Sequence, residues 1–417
     1  NDRSVGEDKY KVAEYGIQYM KGMQDVGVMA CAKHFPGHGD VSVDSHKDLP
    51  VINKTRGRLD SLELYPFREI FKAGVGSVMI AHLSIPSIDN TPNKPTSISY
   101  KNVTELMRNE LGYQGLTFTD ALGMQGVNKF YPNGAASVES LVAGNDMLCL
   151  PNDIPQAIER IKLAIDSGRL SWAAIEAHCR KVLLAKYQYG LSKWQPVSIE
   201  NLAADLNSNV PFMRKLVAEE ALTVLKKTDK HFFPLKAGEK DVVYVSVGAG
   251  SDNAFARRMR ADYNADVIYF DFKQDDSKNA ATVASIKKQY KKVVIGIHSY
   301  SRTPANNFNI SKAAVDLVTQ LQKKTHAITF VFGNPYAIRN WCDAKNLVAC
   351  YEDDSIVHNV AIDLLQGKIA AKGKLPVTVC PKFKYGTGIS YTALAPIDPS
   401  RLTLDVKDHP RRVDDGL

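Results

Sequence analysis

The chain has 417 residues, more than one ordinary hydrophobic core accommodates, and two domains are the first expectation. Its 44% hydrophobic and 24% charged residues describe a globular protein, and no apolar run reaches the roughly 18 residues of a membrane span. The net charge of +8 is modest and comes from scattered lysines; the densest group, Lys287, Lys288, Lys291 and Lys292, reads as a solvated helix end rather than a nucleic-acid surface.

The sequence opens at Asn1-Asp-Arg without a methionine, which leads us to expect further sequence upstream. From residue 10 to about 190 the pattern is strand, loop, helix, repeated. Apolar runs at 26–32, 75–81, 115–119 and 146–150 read as strands, and the helical stretches are 11–24, 60–72, 101–110, 155–167 and 172–187. Strands of this kind separated by helices predict a parallel sheet covered by helices. Four strands fit a small open domain or half of a closed eight-stranded barrel, and composition does not choose between them.

A stretch rich in Ser, Asn and Pro follows, read as a linker over 191–211 that leads into a helix over 212–226. A second α/β unit has predicted strands at 241–247, 266–270, 292–298, 326–332 and 346–350, with helices near 252–262, 278–290, 311–323 and 355–366. Five such strands suit an open doubly wound sheet. Val247-Gly-Ala-Gly250 reads as a close turn and not as a nucleotide site. The second domain is expected over 212–385 and an irregular tail or linker over 386–417. Six cysteines form no CxxC pair, which argues against structural zinc, and Cys31 and Cys149 read as buried thiols.

Chemistry concentrates in two places. Lys33-His34-Phe35-Pro36-Gly37-His38-Gly39-Asp40, followed by Asp44-Ser45-His46, puts a lysine, three histidines and several acids into a glycine-rich segment after an apolar run. Gly115-Leu-Thr-Phe-Thr-Asp120 ends a second run with a carboxylate. In parallel α/β sheets the carboxyl ends of strands carry the active site, so Asp120 is the leading candidate nucleophile. Asp146 precedes its apolar run and reads as a structural group.

Asp44, two residues from His46, can fix the tautomer of that imidazole and raise its pKa, which suits proton donation near neutral pH; a loop stitched by a local hydrogen bond is the structural alternative. Lys33 and His34 are placed to donate hydrogen bonds to substrate hydroxyls. His38 can brace its loop, and His82, ending the second run, can bind substrate or pack. A nucleophilic carboxylate with an imidazole donor suggests displacement at an acetal carbon through a covalent ester. Metal binding by His34, His38, Asp44 and His46 is the competing use, which Lys33 opposes electrostatically.

These motifs resemble glycoside hydrolase family 3, and within it the bacterial β-N-acetylglucosaminidases. The likeness rests on Lys33–Asp40, on Asp44-Ser45-His46 with Leu49-Pro50, and on Thr119-Asp120 with Leu122 and Met124. Further matches are Ala81-His82-Leu83, Ala143-Gly-Asn-Asp-Met147, and Arg3-Ser4 with Gly6-Glu7-Asp8. The likeness covers residues 1 to about 190, and more loosely the second domain down to Gly373-Lys-Leu-Pro-Val377.

The resemblance implies an α/β fold, with the C-terminal half of a (β/α)8 TIM-type barrel over 1–190 followed by an open α/β sandwich with a mostly parallel sheet. It implies a retaining, exo-acting β-N-acetylglucosaminidase acting on β-GlcNAc glycosides or muropeptides of wall recycling. Asp120 would be nucleophile, His46 general acid/base and Asp44 its partner, with Arg3, Lys33, His34 and His82 on the substrate. No cofactor, metal or nucleic acid is expected. The partners it implies are the N-terminal barrel half from the same gene product, without which the piece is expected to be inactive, and a further C-terminal domain. A periplasmic or envelope location is preferred to the cytoplasm. The alternatives are a phosphorylase of β-N-acetylglucosaminides or β-glucosides, since an imidazolium tolerates an anionic acceptor, and a non-catalytic glycan-binding homologue.

Overall fold

The computed structural model describes residues 4–41, 45–229 and 233–393, and the chain divides into two compact units, Asp8–Val197 and a second comprising Ser198–Leu417 with Asn1–Glu7. In the first unit, Asp8 caps the helix Lys9–Gln24 by accepting from the backbone N–H groups of Tyr10 and Lys11. Strands β1 (Cys31–Phe35), β2 (Ser77–Ile80) and β3 (Leu116–Thr119) form a parallel sheet in the order β1-β2-β3. Phe35, Val78 and Ile80 are fully buried and pack with Leu64, Phe67, Val103 and Leu106. This core fixes which ends of the strands face the polar loops.

Three elements differ from the sequence reading. The first strand lies at 31–35 rather than 26–32, because pairing with β2 begins at Cys31↔Ser77 and leaves Val26 and Val28 exposed. Lys33 and His34 therefore belong to the strand itself. The run at 146–150 contributes one parallel bridge, Phe118↔Met147, and no strand. The helix expected over 60–72 is two helices, Arg56–Ser61 and Tyr65–Lys72, the second with Pro66 in its first turn. Cys31 is exposed and Cys149 half-buried, so neither is the buried thiol expected. Strand β1 stands at the edge of the three-stranded sheet, and its alternate residues Cys31 and Lys33 are exposed.

The second unit is built on a six-stranded sheet. Its strands are β4 (Thr223–Lys227), β5 (Val242–Val247), β6 (Asp266–Phe270), β7 (Lys292–Ile297), β8 (Ala327–Val331) and β9 (Asn346–Ala349), in the order β4-β9-β8-β7-β5-β6. All pairs are parallel except β4 with β9. Strands β5 and β8 are buried along their whole length, as expected of a sheet covered on both faces. The helix expected over 212–226 spans Val210–Ala221 and stops where β4 begins, since Thr223–Lys227 pairs with β9 instead. The stretch read as a linker contains the helix Leu202–Asn207.

Within this unit Glu7 accepts from the Thr378 backbone N–H (2.9 Å) and hydroxyl (2.6 Å). Cys342 and Cys380 form a disulfide that the sequence reading did not pair. Part of the expected tail is structured: Ile389 bridges Val224, and Tyr391 bridges Ala371. The remainder of 386–417, from residue 394, lies outside the described residues. Among the described residues, no helix is long and apolar enough to cross a membrane.

Candidate active site

The site is assembled at the carboxyl ends of β1, β2 and β3. Asp120 continues β3 by donating its backbone N–H to the Ile80 carbonyl (2.8 Å), which sets its side chain at the sheet's edge. Its Oδ1 accepts from the Ala121 N–H at 2.9 Å. Its Oδ2 stands 3.9 Å from His34 Nε2, within ion-pair range but beyond a hydrogen bond. Both side chains are largely buried, which strengthens the electrostatic effect of one on the other. The parallel register thus brings together two residues 86 positions apart, His34 and Asp120 (120 − 34).

His34 and His38 face each other edge to face, with ring centroids 5.9 Å apart. The turn between them needs glycine: Gly37 has φ +137°, and a Cβ there would lie 2.8 Å from the Cβ of Glu63. His38 Nε2 lies 3.3 Å from the Ser45 hydroxyl. The Ser45 carbonyl in turn accepts from Gly126 N–H at 3.1 Å. Ser45 sits beside His46, so the segment carrying that imidazole is tied both to the His38 loop and to the loop that follows Asp120. A surface ion pair, Lys129 to Asp48 at 3.2 Å, joins the same two segments.

Of the residues singled out from sequence, Lys33 is exposed on β1, His34 is half-buried beside Asp120, and His46 is exposed. Arg3 and Asp44 lie outside the described residues. His82 differs from the substrate-binding expectation. It is fully buried, with Nε2 2.9 Å from the Ala121 carbonyl and Nδ1 2.7 Å from the Ser97 hydroxyl. Because a carbonyl only accepts, Nε2 carries the proton and Nδ1 accepts from Ser97. Neither nitrogen is left for a sugar. Burial holds the His82 pKa below its ordinary value, and the charges of His38 and His46 act in the same direction, while the Ala121 bond and Asp120 oppose it.

Asp146 is structural, in line with its position before an apolar run. Its carboxylate receives Arg108 (2.8 Å), His178 (2.8 Å), Lys181 (3.1 Å) and the Thr117 N–H (2.9 Å). Although burial raises its pKa, these partners outweigh that effect and hold it well below the usual carboxylate range. The network fastens β3 to the helix Trp172–Gln188, while Asp120 stands at the carboxyl end of β3.

Sequence reasoning missed Ser97 and the backbone role of Ala121, whose positions beside His82 depend on tertiary structure alone. It also missed a cluster in the second unit: His298, Asp353 and His358 are the three-donor group close enough to share a metal ion among the described residues. The available signal was their place just after apolar strands, for His298 and Asp353.

Residues 1–185 match the glycosyl hydrolase family 3 N-terminal domain. Beta-hexosaminidase A of Pseudoalteromonas piscicida is 33% identical over 245 residues, covering 54% of this chain and 40% of that protein. Beta-hexosaminidase of Nitrosomonas eutropha is 34% identical over 175 residues, covering 40% of this chain and 49% of that protein. The chain therefore spans half or less of the length of these curated relatives. Among solved structures, a glycoside hydrolase family 3 beta-N-acetylglucosaminidase from Paenibacillus sp. str. FPU-7 superposes with a TM-score of 0.70 at 28% identity, covering 91% of this chain and 72% of that one. The superposition shows that this relative shares the α/β fold of the chain. The matched residues 1–185 hold the Lys33–Asp40 motif, His46 and Asp120, so this part of the chain is similar to the glycosyl hydrolase family 3 N-terminal domain.

Proposed function

We propose that the protein is a retaining β-N-acetylglucosaminidase that removes terminal β-GlcNAc, from bacterial wall fragments, through a covalent glycosyl-aspartate intermediate. The observation that carries this reading is the junction of two segments: the carbonyl of Ser45, beside His46, accepts from the N–H of Gly126 in the short helix Gln125–Asn128 that follows Asp120. This hydrogen bond ties the segment that carries His46 to the segment that follows Asp120, which supports placing an imidazole near the carboxylate. Glycoside cleavage with retention needs a nucleophile under the anomeric carbon and a proton donor near the leaving oxygen.

In this mechanism Asp120 attacks the anomeric carbon as the C–O bond to the aglycone breaks. His46 gives its proton to the departing oxygen, with Asp44 holding the imidazole. In the second step neutral His46 takes a proton from water, whose oxygen displaces Asp120 and restores the β configuration. His34 and Lys33 would orient the sugar by donating to its hydroxyls, as would Arg3. His82 does not touch substrate in this scheme. It holds the Ala121 peptide and so positions the nucleophile.

The names of the hexosaminidase relatives support the choice of amino sugar over glucose. The test is release of p-nitrophenol from its β-N-acetylglucosaminide and its β-glucoside by the protein as made from its whole gene, each with and without phosphate. Hydrolysis of the first compound in preference to the second is expected, with free GlcNAc as product. Sugar phosphate as the main product would make the protein a phosphorylase, and binding without turnover would make it a glycan-binding homologue.

A further inference from the structure

The second unit holds a polar cluster that glycosidic chemistry does not use. His298 follows β7, Asp353 lies beyond β9, and His358 is in the first turns of the helix Ser355–Leu365. All three stand at the carboxyl edge of the sheet. Strand β5 pairs with β6 on one side and β7 on the other, so the direction of winding reverses between β5 and β7. In open α/β sheets the crevice outside such a reversal is where ligands are held.

The donors already converge. His298 Nδ1 is 2.8 Å and His358 Nε2 is 2.7 Å from the same oxygen, Oδ1 of Asp353. One ligand atom from each residue lies within 4.8 Å of the others. The surrounding groups have the form of a supporting shell. Tyr244 Oη is 2.6 Å from His298 Nε2, and the Ser299 N–H donates to Asp353 Oδ2 at 2.7 Å. His358 is 4% exposed, and its Nδ1 is buried with no hydrogen-bond partner.

We propose that His298 Nδ1, His358 Nε2 and Asp353 Oδ1 bind one divalent transition-metal ion of the zinc class, with a water on the solvent side of Asp353. Two imidazoles and one carboxylate are a donor set that zinc accepts, leaving an open fourth position. Ligand atoms around a tetrahedral ion with bonds of about 2.0 Å stand roughly 3.3 Å apart, so each histidine nitrogen needs to part from Asp353 Oδ1 by about 0.5 Å, and the two nitrogens, within 4.8 Å of each other, need to take up the same spacing. Asp353 lies on the loop between β9 and the helix Ser355–Leu365, with its side chain about one-quarter exposed to solvent.

Protons balance without net release. Each neutral ring gives its metal-facing nitrogen lone pair to the ion and carries its proton on the far nitrogen instead. For His298 that N–H then points at Tyr244 Oη, the second-shell arrangement that metal-bound histidines generally show. The local charge favours a cation. Glu352 and Asp354 flank Asp353, and Arg214 is the cation paired with both.

The experiment is titration of the intact protein with cobalt(II), a visible spectroscopic stand-in for zinc. One equivalent should produce the intense d–d bands of a tetrahedral centre, and zinc should abolish them while raising Tm. His358→Gln should weaken cobalt binding at least about tenfold. Asp353→Asn, at an exposed position, should do the same and serves if the histidine variant does not fold. Absence of tetrahedral bands overturns the proposal. So does a spectrum that survives both substitutions and disappears in His46→Gln, which would locate the ion in the first unit.

Discussion

His82 donates from Nε2 to the carbonyl oxygen of Ala121 at 2.9 Å, so the peptide that follows Asp120 hangs on a fully buried imidazole. His82→Ala would leave the Ser97 hydroxyl and the Ala121 carbonyl without their partner, at a cost of about 1–3 kcal/mol in stability. Misplacing the Asp120 carboxylate should also lower kcat, by up to about 10²-fold, with a smaller change in KM. The His82 pKa is lowered on folding, so the associated stability is present above the ordinary histidine pKa near 6.5 and is lost as pH falls below it. A chemical-denaturation series from pH 8 to 5 should show this decline in the wild type and a shallower one in the variant.

Asp120→Ala should remove cleavage, with a loss on the order of 10⁴-fold in kcat, and largely preserve sugar binding. Isothermal titration with GlcNAc checks the binding half of that statement. Unchanged turnover would mean that another group attacks the sugar.

Replacement of His46 by Gln should act on the leaving group. Natural glycosides with poor leaving groups should slow by about 10²–10⁴-fold, and p-nitrophenyl glycosides much less. Equal slowing of both classes would rule out a proton-donor role.

Asp146→Asn addresses structure rather than chemistry. It strands Arg108 beside a neutral amide in a mostly buried network, at a cost of about 3–5 kcal/mol. The Asp146 pKa is depressed on folding, so its stabilisation is full above the ordinary carboxylate range, declines as pH falls below that range and is gone only below the depressed native value. Thermal melts at pH 7 and pH 3 should show a large gap between wild type and variant at the first pH and a reduced but still measurable one at the second.

The Cys342–Cys380 bridge joins positions 38 residues apart, and closing a loop of that length is worth about 2–4 kcal/mol in the chain-entropy view. A Cys342→Ser/Cys380→Ser protein should melt several degrees lower. Dithiothreitol should destabilise the wild type and leave the double variant unchanged.

How much could be read in advance depended on whether local pattern or distant pairing decides an element. Val242–Val247 and Ala327–Val331 are buried on both sides, and such apolar runs are legible without a structure. Thr223–Lys227 was absorbed into a helix, because what makes it a strand is its pairing with β9, more than a hundred residues away. Strand β1 was placed early because its own residues, Lys33 and His34, are polar, while the apolar residues before it are exposed at the sheet's edge. At the site, Asp120 and His34 announce themselves as polar residues at strand ends. The burial of His82 and the convergence of His298 with His358 depend on side chains far apart in sequence, and no local spacing records them.

The pairing of Ile389 with Val224 has a topological consequence. The chain enters the six-stranded sheet through β4 and returns to that strand's outer side near its last described residues. Way in and way out therefore share one border of the sheet. A body wired in this manner can be spliced into a longer polypeptide, or circularly permuted, without rethreading its strands. The same wiring makes residues 387–391 a cover for an otherwise open strand: proteolytic release of that short segment would bare a ready template for association between molecules.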